Sequence, residues 1–201
     1  MTRAAVGDGV VVTLTQRTEY PRSGNVTIHV TTPAPVEFAL RLRIPHWSAE
    51  TSVTVNGESV ADVSRGEYCS VSRVWRSGDL VELALDMSLH FWAGERECDG
   101  LTSVYRGPLL LTYDRRFNEM DPDDIPALDA SAMHGRMVEV DGRHRPLLLM
   151  EFPSLDGRAL RLCDFGSAGE GGTPYRSWLD VRGPAPADFT RQNPLRTTRA
   201  R

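Results

Sequence analysis

Val36-Glu37-Phe38-Ala39-Leu40-Arg41-Leu42-Arg43-Ile44-Pro45 is the stretch on which the fold of this 201-residue chain turns. Side chains alternate along an extended backbone with a period of two, so Phe38, Leu40, Leu42 and Ile44 fall on one side and Ala39, Arg41 and Arg43 on the other. One face is apolar and one is wet, as in an antiparallel sheet packed on a single side. Pro45 has no backbone N–H and ends the ladder.

The same pattern extends in both directions. Val10 to Thr15 and Asn25 to Val30 read as strands around the turn Tyr20-Pro21-Arg22-Ser23-Gly24, where proline fixes φ and glycine frees it. Thr51 to Val55 runs into Asn56-Gly57, a strong hairpin signal because both central residues of a type I′ turn need positive φ, and Glu58 to Val60 returns. Glu67 to Trp75 and Leu80 to Met87 flank Arg76-Ser77-Gly78-Asp79, and Thr102 to Tyr113 follows, broken at Gly107-Pro108. Trp75 shares strand parity with Cys69 and Val71 and is expected to cap the core. Helix-period segments are almost absent.

Composition then shifts. The segment after Tyr113 is acidic and carries Pro122 and Pro126, which marks a linker. Beyond it come Met137 to Val140, Pro146 to Phe152, Ala159 to Cys163 and Tyr175 to Val181, with turns at Asp141-Gly142 and Asp156-Gly157. The expected fold class is all-β: an antiparallel, jelly-roll-like β-sandwich over 1–115, a linker over 116–133, a smaller β unit over 134–182 and a disordered tail over 183–201, too poor in large apolar residues to offset its ordering entropy.

Hydrophobic residues at 40% and charged residues at 25% exclude the disordered and membrane classes, and no apolar run approaches the roughly 20 residues that cross a bilayer. A net charge of −4 argues against a duplex nucleic-acid partner. All 23 basic residues are arginine, a usage that reads as coding bias rather than as a phosphate site. Cys69, Cys98 and Cys163 form neither a disulfide framework nor a CxxC pair, and Met1 to Val12 lacks the apolar run of a signal peptide, so a cytoplasmic location is the expectation.

Chemistry-bearing patterns are sparse. His29, His46, His90, His134 and His144 are scattered without a metal-ligand spacing. Asp121, Asp123 and Asp124 lack the glycine and terminal glutamate of a calcium loop. Gly166-Ser167-Ala168-Gly169 is neither a nucleophile elbow nor a phosphate loop. Glycoside hydrolysis needs two carboxyl groups about 5 to 10 Å apart, and no spacing pairs any two acids here. No catalytic, cofactor-binding or metal residue is nominated. Trp47, Trp75, Trp92, Trp178 and Tyr20 are the large aromatics able to stack on a sugar, and Trp47 and Trp92 are the candidate substrate-binding residues.

Taken in order, Tyr20-Pro21-x-x-Gly24, Leu42-Arg43-Ile44-Pro45-x-Trp47, Val55-Asn56-Gly57, Arg73-x-Trp75-x-x-Gly78-Asp79 and Arg106-Gly107-Pro108-Leu109 resemble the C-terminal region of the β-L-arabinofuranosidase family of glycoside hydrolases, family 127. Tyr175-Arg176-x-Trp178-Leu179 resembles its closing strand, while Arg22 stands where members often carry tryptophan. The resemblance implies a preceding catalytic (α/α)6 barrel holding the acid/base glutamate, the nucleophilic cysteine and a zinc site. No stretch of this sequence corresponds to that barrel, and no cysteine here matches its cysteines. The implied role is a non-catalytic accessory region without a cofactor of its own, zinc belonging to the barrel, which is the implied partner in cis or in trans. Arabinose-containing glycans are a further implied partner. Two other roles stay open: a free-standing carbohydrate-binding module, and a separately encoded subunit that restores the enzyme.

Overall fold

The period-two pattern is realised as strands throughout the computed structural model, which describes residues 1–7, 9–142, 145–185 and 187. His144 and, from residue 188 on, the tail expected to be disordered lie outside the described residues. Among those described there is no α-helix, only strands and five single-turn 3-10 helices, and no helix long and apolar enough to cross a membrane. The chain divides into two compact units, Met1–Met87 and Ser88–Arg201.

The first unit contains β1 (Thr2–Val6), β2 (Val10–Thr18), β3 (Asn25–Thr31), β4 (Val36–Arg43), β5 (Ser52–Val55), β6 (Glu58–Ser59), β7 (Tyr68–Trp75) and β8 (Leu80–Ala84). One sheet runs β1-β2-β3-β8-β5-β6, and β4 pairs with β7 in a second. All of these pairings are antiparallel. The two sheets meet in one core: Val12, Val26, Ile28, Val30, Val53, Val55, Val81 and Leu83 come from the first, Leu42, Cys69 and Trp75 from the second. This is the sandwich that the alternation of 36–45 demands. Trp75 caps that core as expected: it is fully buried, stacks on Phe38 at 5.5 Å and donates its indole N–H to the Phe38 carbonyl at 3.0 Å.

Two turns lock this unit. Asn56 and Gly57 sit at φ +53° and +83°, the type I′ geometry. The Asn56 amide donates to Asp79 Oδ1 at 2.9 Å and its Oδ1 accepts the Leu80 N–H at 2.9 Å, while Asp79 Oδ2 accepts the Arg76 N–H at 2.8 Å. The hairpin tip and the β7–β8 turn are thereby joined. Burial pushes the Asp79 carboxyl up, but the Arg76 N–H, the Asn56 amide and the charges of Arg73 and Arg76 together hold it below the usual carboxylate range. Gly24 is required by proximity, since a Cβ there would lie 2.2 Å from the Leu85 carbonyl oxygen.

The second unit contains β9 (Leu89–Ala93), β10 (Thr102–Arg106), β11 (Leu109–Asp114), β12 (Leu128–Asp129), β13 (Arg136–Met137), β14 (Leu149–Pro153), β15 (Ala159–Asp164), β16 (Tyr175–Arg176) and β17 (Val181–Arg182). Its main sheet runs β13-β14-β15-β11-β10-β9, with β16 also paired to β11. A short parallel pair joins β12 and β17. Val104, Leu111, Tyr113, Leu128, Phe152, Leu160 and Leu162 form the centre of its core.

The division therefore falls at Met87/Ser88 and not within the expected linker. Strands β9, β10 and β11, placed by sequence in the unit 1–115, are the spine of the second unit. Residues 116–133 are integral to that unit as well: Leu128 is fully buried and pairs with Val181, and the Tyr113 hydroxyl donates to the Met120 carbonyl. The aspartates that gave the segment its linker composition are surface acids with counter-charges, Asp123 bonded to Arg176 at 2.8 Å and Asp124 to Arg158 at 3.0 Å.

Asp114 is the anchor of this unit. Its fully buried carboxylate accepts the Arg116 N–H at 2.8 Å, the Arg116 guanidinium at 2.9 to 3.2 Å, the Gly169 N–H at 2.8 Å and the Thr173 hydroxyl at 3.2 Å. Burial pushes this carboxyl up, and the hydrogen bonds from Arg116 and Gly169 with the Arg116 charge more than offset that, leaving it lowered.

Substitutions at two positions test these locks in urea unfolding. Asn56→Ala, which loses the side-chain bonds and strains a positive φ, is expected to cost roughly 2 kcal/mol, and Asn56→Gly, which keeps the φ, about half of that. Equal costs would contradict the geometric part of the account. Asp114→Asn removes the fully buried charge on which Arg116, Gly169 and Thr173 converge, leaving Arg116 only its more exposed carboxylate partner Glu170, and is expected to cost roughly 3 kcal/mol near neutral pH. Because the folded carboxyl lies below its unfolded value of about 3.9, the wild-type advantage is fully present above that pH and shrinks as pH falls through the lowered folded value. A gap independent of pH would contradict the assignment.

Candidate functional site

The two aromatics nominated from sequence belong to different units. Trp47 is half-buried in the turn after Ile44-Pro45, next to the buried Ser48, whose Oγ accepts the Asp86 N–H at 2.8 Å. Trp92 lies on β9, the outermost strand of the second unit's main sheet, opposite Ser103 and 39% exposed. Trp178 is half-buried beside Leu179, which exchanges backbone hydrogen bonds with Thr102 at 2.8 and 3.0 Å.

The histidines described pack rather than converge. His46 lies against Gly66, where a Cβ would come within 2.4 Å of the imidazole, and His90 stacks on Tyr105 at 5.3 Å. Among the described residues no three His, Cys, Asp or Glu side chains stand close enough to hold a metal ion, so the zinc implied by the resembled family finds no fitting donor set there. Cys163 is fully buried, and burial together with the nearby Asp114 and Asp164 carboxylates pushes its thiol up to about 12. It is protonated near neutrality and is not a poised nucleophile.

The second unit carries a groove of about 500 Å³ lined by Phe117, Asn118, Glu119, Met120, Arg158, Ala159 and Arg161. It is built upward from Asp114. That carboxylate caps the 3-10 turn Arg115–Phe117, which turns the chain out of β11 and sets the 117–120 loop. Asn118 then acts as a surrogate strand residue: its Nδ2 donates to the Asp114 and Arg161 carbonyls at 2.9 Å each, and its Oδ1 accepts the Arg161 N–H at 2.9 Å. The loop is thus fastened to β15. A second cleft of about 250 Å³ shares Arg158 and Ala159 and is lined further by Arg136, Glu151, Pro153 and Gly157.

Charge in both concavities is closely balanced. Glu151 accepts Arg136 at 2.6 Å and Arg161 at 2.9 Å, and the hydrogen bond from Arg161 followed by that from Arg136 lowers its carboxyl against the opposing effect of burial. Arg158 bridges Asp156 at 2.8 Å and Asp124 at 3.0 Å. The Ser154 hydroxyl first, then the Arg158 N–H, brings Asp156 down to about 2. Sequence reasoning missed this site because its loop had the composition of a linker and Arg161 looked like one more wet position of an alternating strand.

Residues 2–87 match the family model described as beta-L-arabinofuranosidase, GH127 middle domain. The match ends where the first compact unit ends, and it corrects the expected C-terminal placement of that segment to a middle domain. No curated protein matches the chain. Among solved structures, a glycoside hydrolase aligns with a TM-score of 0.68 and 23% identity over 86% of this chain and 34% of its own. A GH127 beta-L-arabinofuranosidase from Geobacillus stearothermophilus T6 aligns at 0.69 and 22% identity over 90% and 32%. A GH127 beta-arabinofuranosidase aligns at 0.71 and 22% identity over 89% and 33%. The chain spans about a third of the length of these structures, and at such identities the likeness establishes a shared fold for both units' β architecture.

Proposed function

We propose that the chain is a non-catalytic accessory β-sandwich region of a β-L-arabinofuranosidase-type glycoside hydrolase, serving a helical catalytic barrel supplied either in cis or as a separate subunit. The observation that carries this reading is the coincidence of a whole compact unit, Met1–Met87, with the family's middle-domain model over residues 2–87. Its support within the molecule is the use of the conspicuous polar groups as structure: Asp79, Asp114 and Asn118 each spend their hydrogen-bonding capacity on turns and loops. In this proposal zinc and the reacting groups belong to the barrel, and Trp92 on its outer strand and Trp47 in its turn are the aromatics offered to arabinose-containing glycans.

Purified chain incubated with an aryl β-L-arabinofuranoside, with and without zinc, is expected to give no turnover. Mixed with a separately expressed family barrel, it is expected to raise that barrel's turnover or its thermal stability. Zinc-dependent hydrolysis by the chain alone would overturn the proposal.

A further inference from the structure

The 500 Å³ groove carries two groups whose hydrogen-bonding capacity is unspent. Glu119 makes no hydrogen bond or ion pair among the described residues. Arg161 gives its Nε to Glu151 and its backbone N–H to Asn118, while its two terminal nitrogens have no partner among them. An acceptor and a set of donors thus line one concavity without pairing to each other, beside the apolar surface of Phe117, Met120 and Ala159. A groove of this volume is within the range of about 300 to 1,000 Å³ used for small ligands, and its lining mixes three apolar residues with Asn118, Glu119, Arg158 and Arg161.

Charge decides the ligand class. Arg158 is already neutralised by Asp124 and Asp156, and Arg136 and Arg161 share Glu151, so an anion at the open Arg161 nitrogens would find little net positive charge and would also meet Glu119. A cation would meet the guanidinium groups of Arg158 and Arg161. A neutral ligand that both donates and accepts hydroxyl hydrogen bonds and presents an apolar C–H face satisfies every constraint. We propose that this groove is a saccharide-binding subsite for neutral glycans, in which Glu119 accepts from a sugar hydroxyl, Arg161 donates to one, and Phe117 and Met120 contact the ring's C–H surface. The neighbouring cleft continues from the shared Arg158 and Ala159, so a linear oligosaccharide has room to extend beyond one residue. The arms of the site are pre-set by Asp114 and Asn118, which lowers the ordering cost of binding. This inference goes beyond the accessory reading and concerns residues outside the segment that the family model matches.

The test is a titration of the full chain, followed by amide chemical shifts, with neutral arabino-oligosaccharides and cello-oligosaccharides, and with oligogalacturonate as the anionic counterpart. Saturable shifts on 117–120 and 158–161 with a neutral saccharide, weakened about tenfold in Glu119→Ala, are expected, with each fold-change of ten equivalent to about 1.4 kcal/mol. Glu119 is exposed, so that variant retains the fold, which the unchanged remainder of its spectrum verifies. Absence of saturable binding, shifts confined to other residues, tighter binding of oligogalacturonate, or wild-type affinity in Glu119→Ala would each overturn the proposal. The titration contains no barrel and measures no turnover, so its failure leaves the accessory reading standing, and failure of the accessory reading leaves the groove to be judged on its own.

Discussion

A carboxylate removed from water has to be matched by donors arriving from several directions, and Asp114 meets that condition with four groups from two distant segments. Arg116 comes from the turn that the carboxylate itself caps, and Gly169 and Thr173 come from the glycine-rich loop more than fifty residues on. Because an unsatisfied buried charge costs several kcal/mol, these segments are held together at one position rather than over a range. The 117–120 loop, the fastening of Asn118 to β15 and the groove between them all follow from that constraint. Asp164 repeats the device on a smaller scale, accepting from the Leu148 and Ser167 N–H groups and from the Ser167 hydroxyl.

The first unit solves a different problem. It has an apolar sandwich core and needs its hairpins in register, because a one-residue slip would turn Val53, Val55, Val81 and Leu83 out of that core. The Asn56–Asp79 contact fixes the register of β5 against β8 from the turn ends, and Trp75 fixes β7 against β4 through Phe38. The sequence features that resemble the β-L-arabinofuranosidase family, Val55-Asn56-Gly57 and Trp75-x-x-Gly78-Asp79, are therefore two halves of one hydrogen-bonded latch. Their separation by more than twenty residues hides that relation until the strands are paired.

How much of this was legible in the sequence varies with the physics involved. Strands β3, β4, β7 and β8 each bury one face, and one-sided burial writes itself as alternation. The Asn56-Gly57 turn was legible because few residue pairs tolerate its φ angles. Strand β1 was not, since Thr2 to Ala5 are exposed and only Val6 packs on the core, so the strand exists through backbone pairing to β2 alone. The unit boundary was hidden because Met87-Ser88-Leu89 continues the alternation across it. The 116–133 segment misled by composition: its acids lie at the surface, and its contribution to the core rests on a few residues, Leu128 above all. The groove was illegible because its walls are fastened by hydrogen bonds between Asn118 and Arg161, 43 residues apart.

These elements describe a chain whose polar groups chiefly hold architecture in place and whose first unit matches the family model of a GH127 middle domain. The central claim is that this chain works as the non-catalytic companion of a helical barrel. Native mass spectrometry of the chain mixed with a separately expressed barrel of the β-L-arabinofuranosidase family tests it most directly. A one-to-one complex is the predicted result; two species that never associate, under conditions where each is folded, would contradict it.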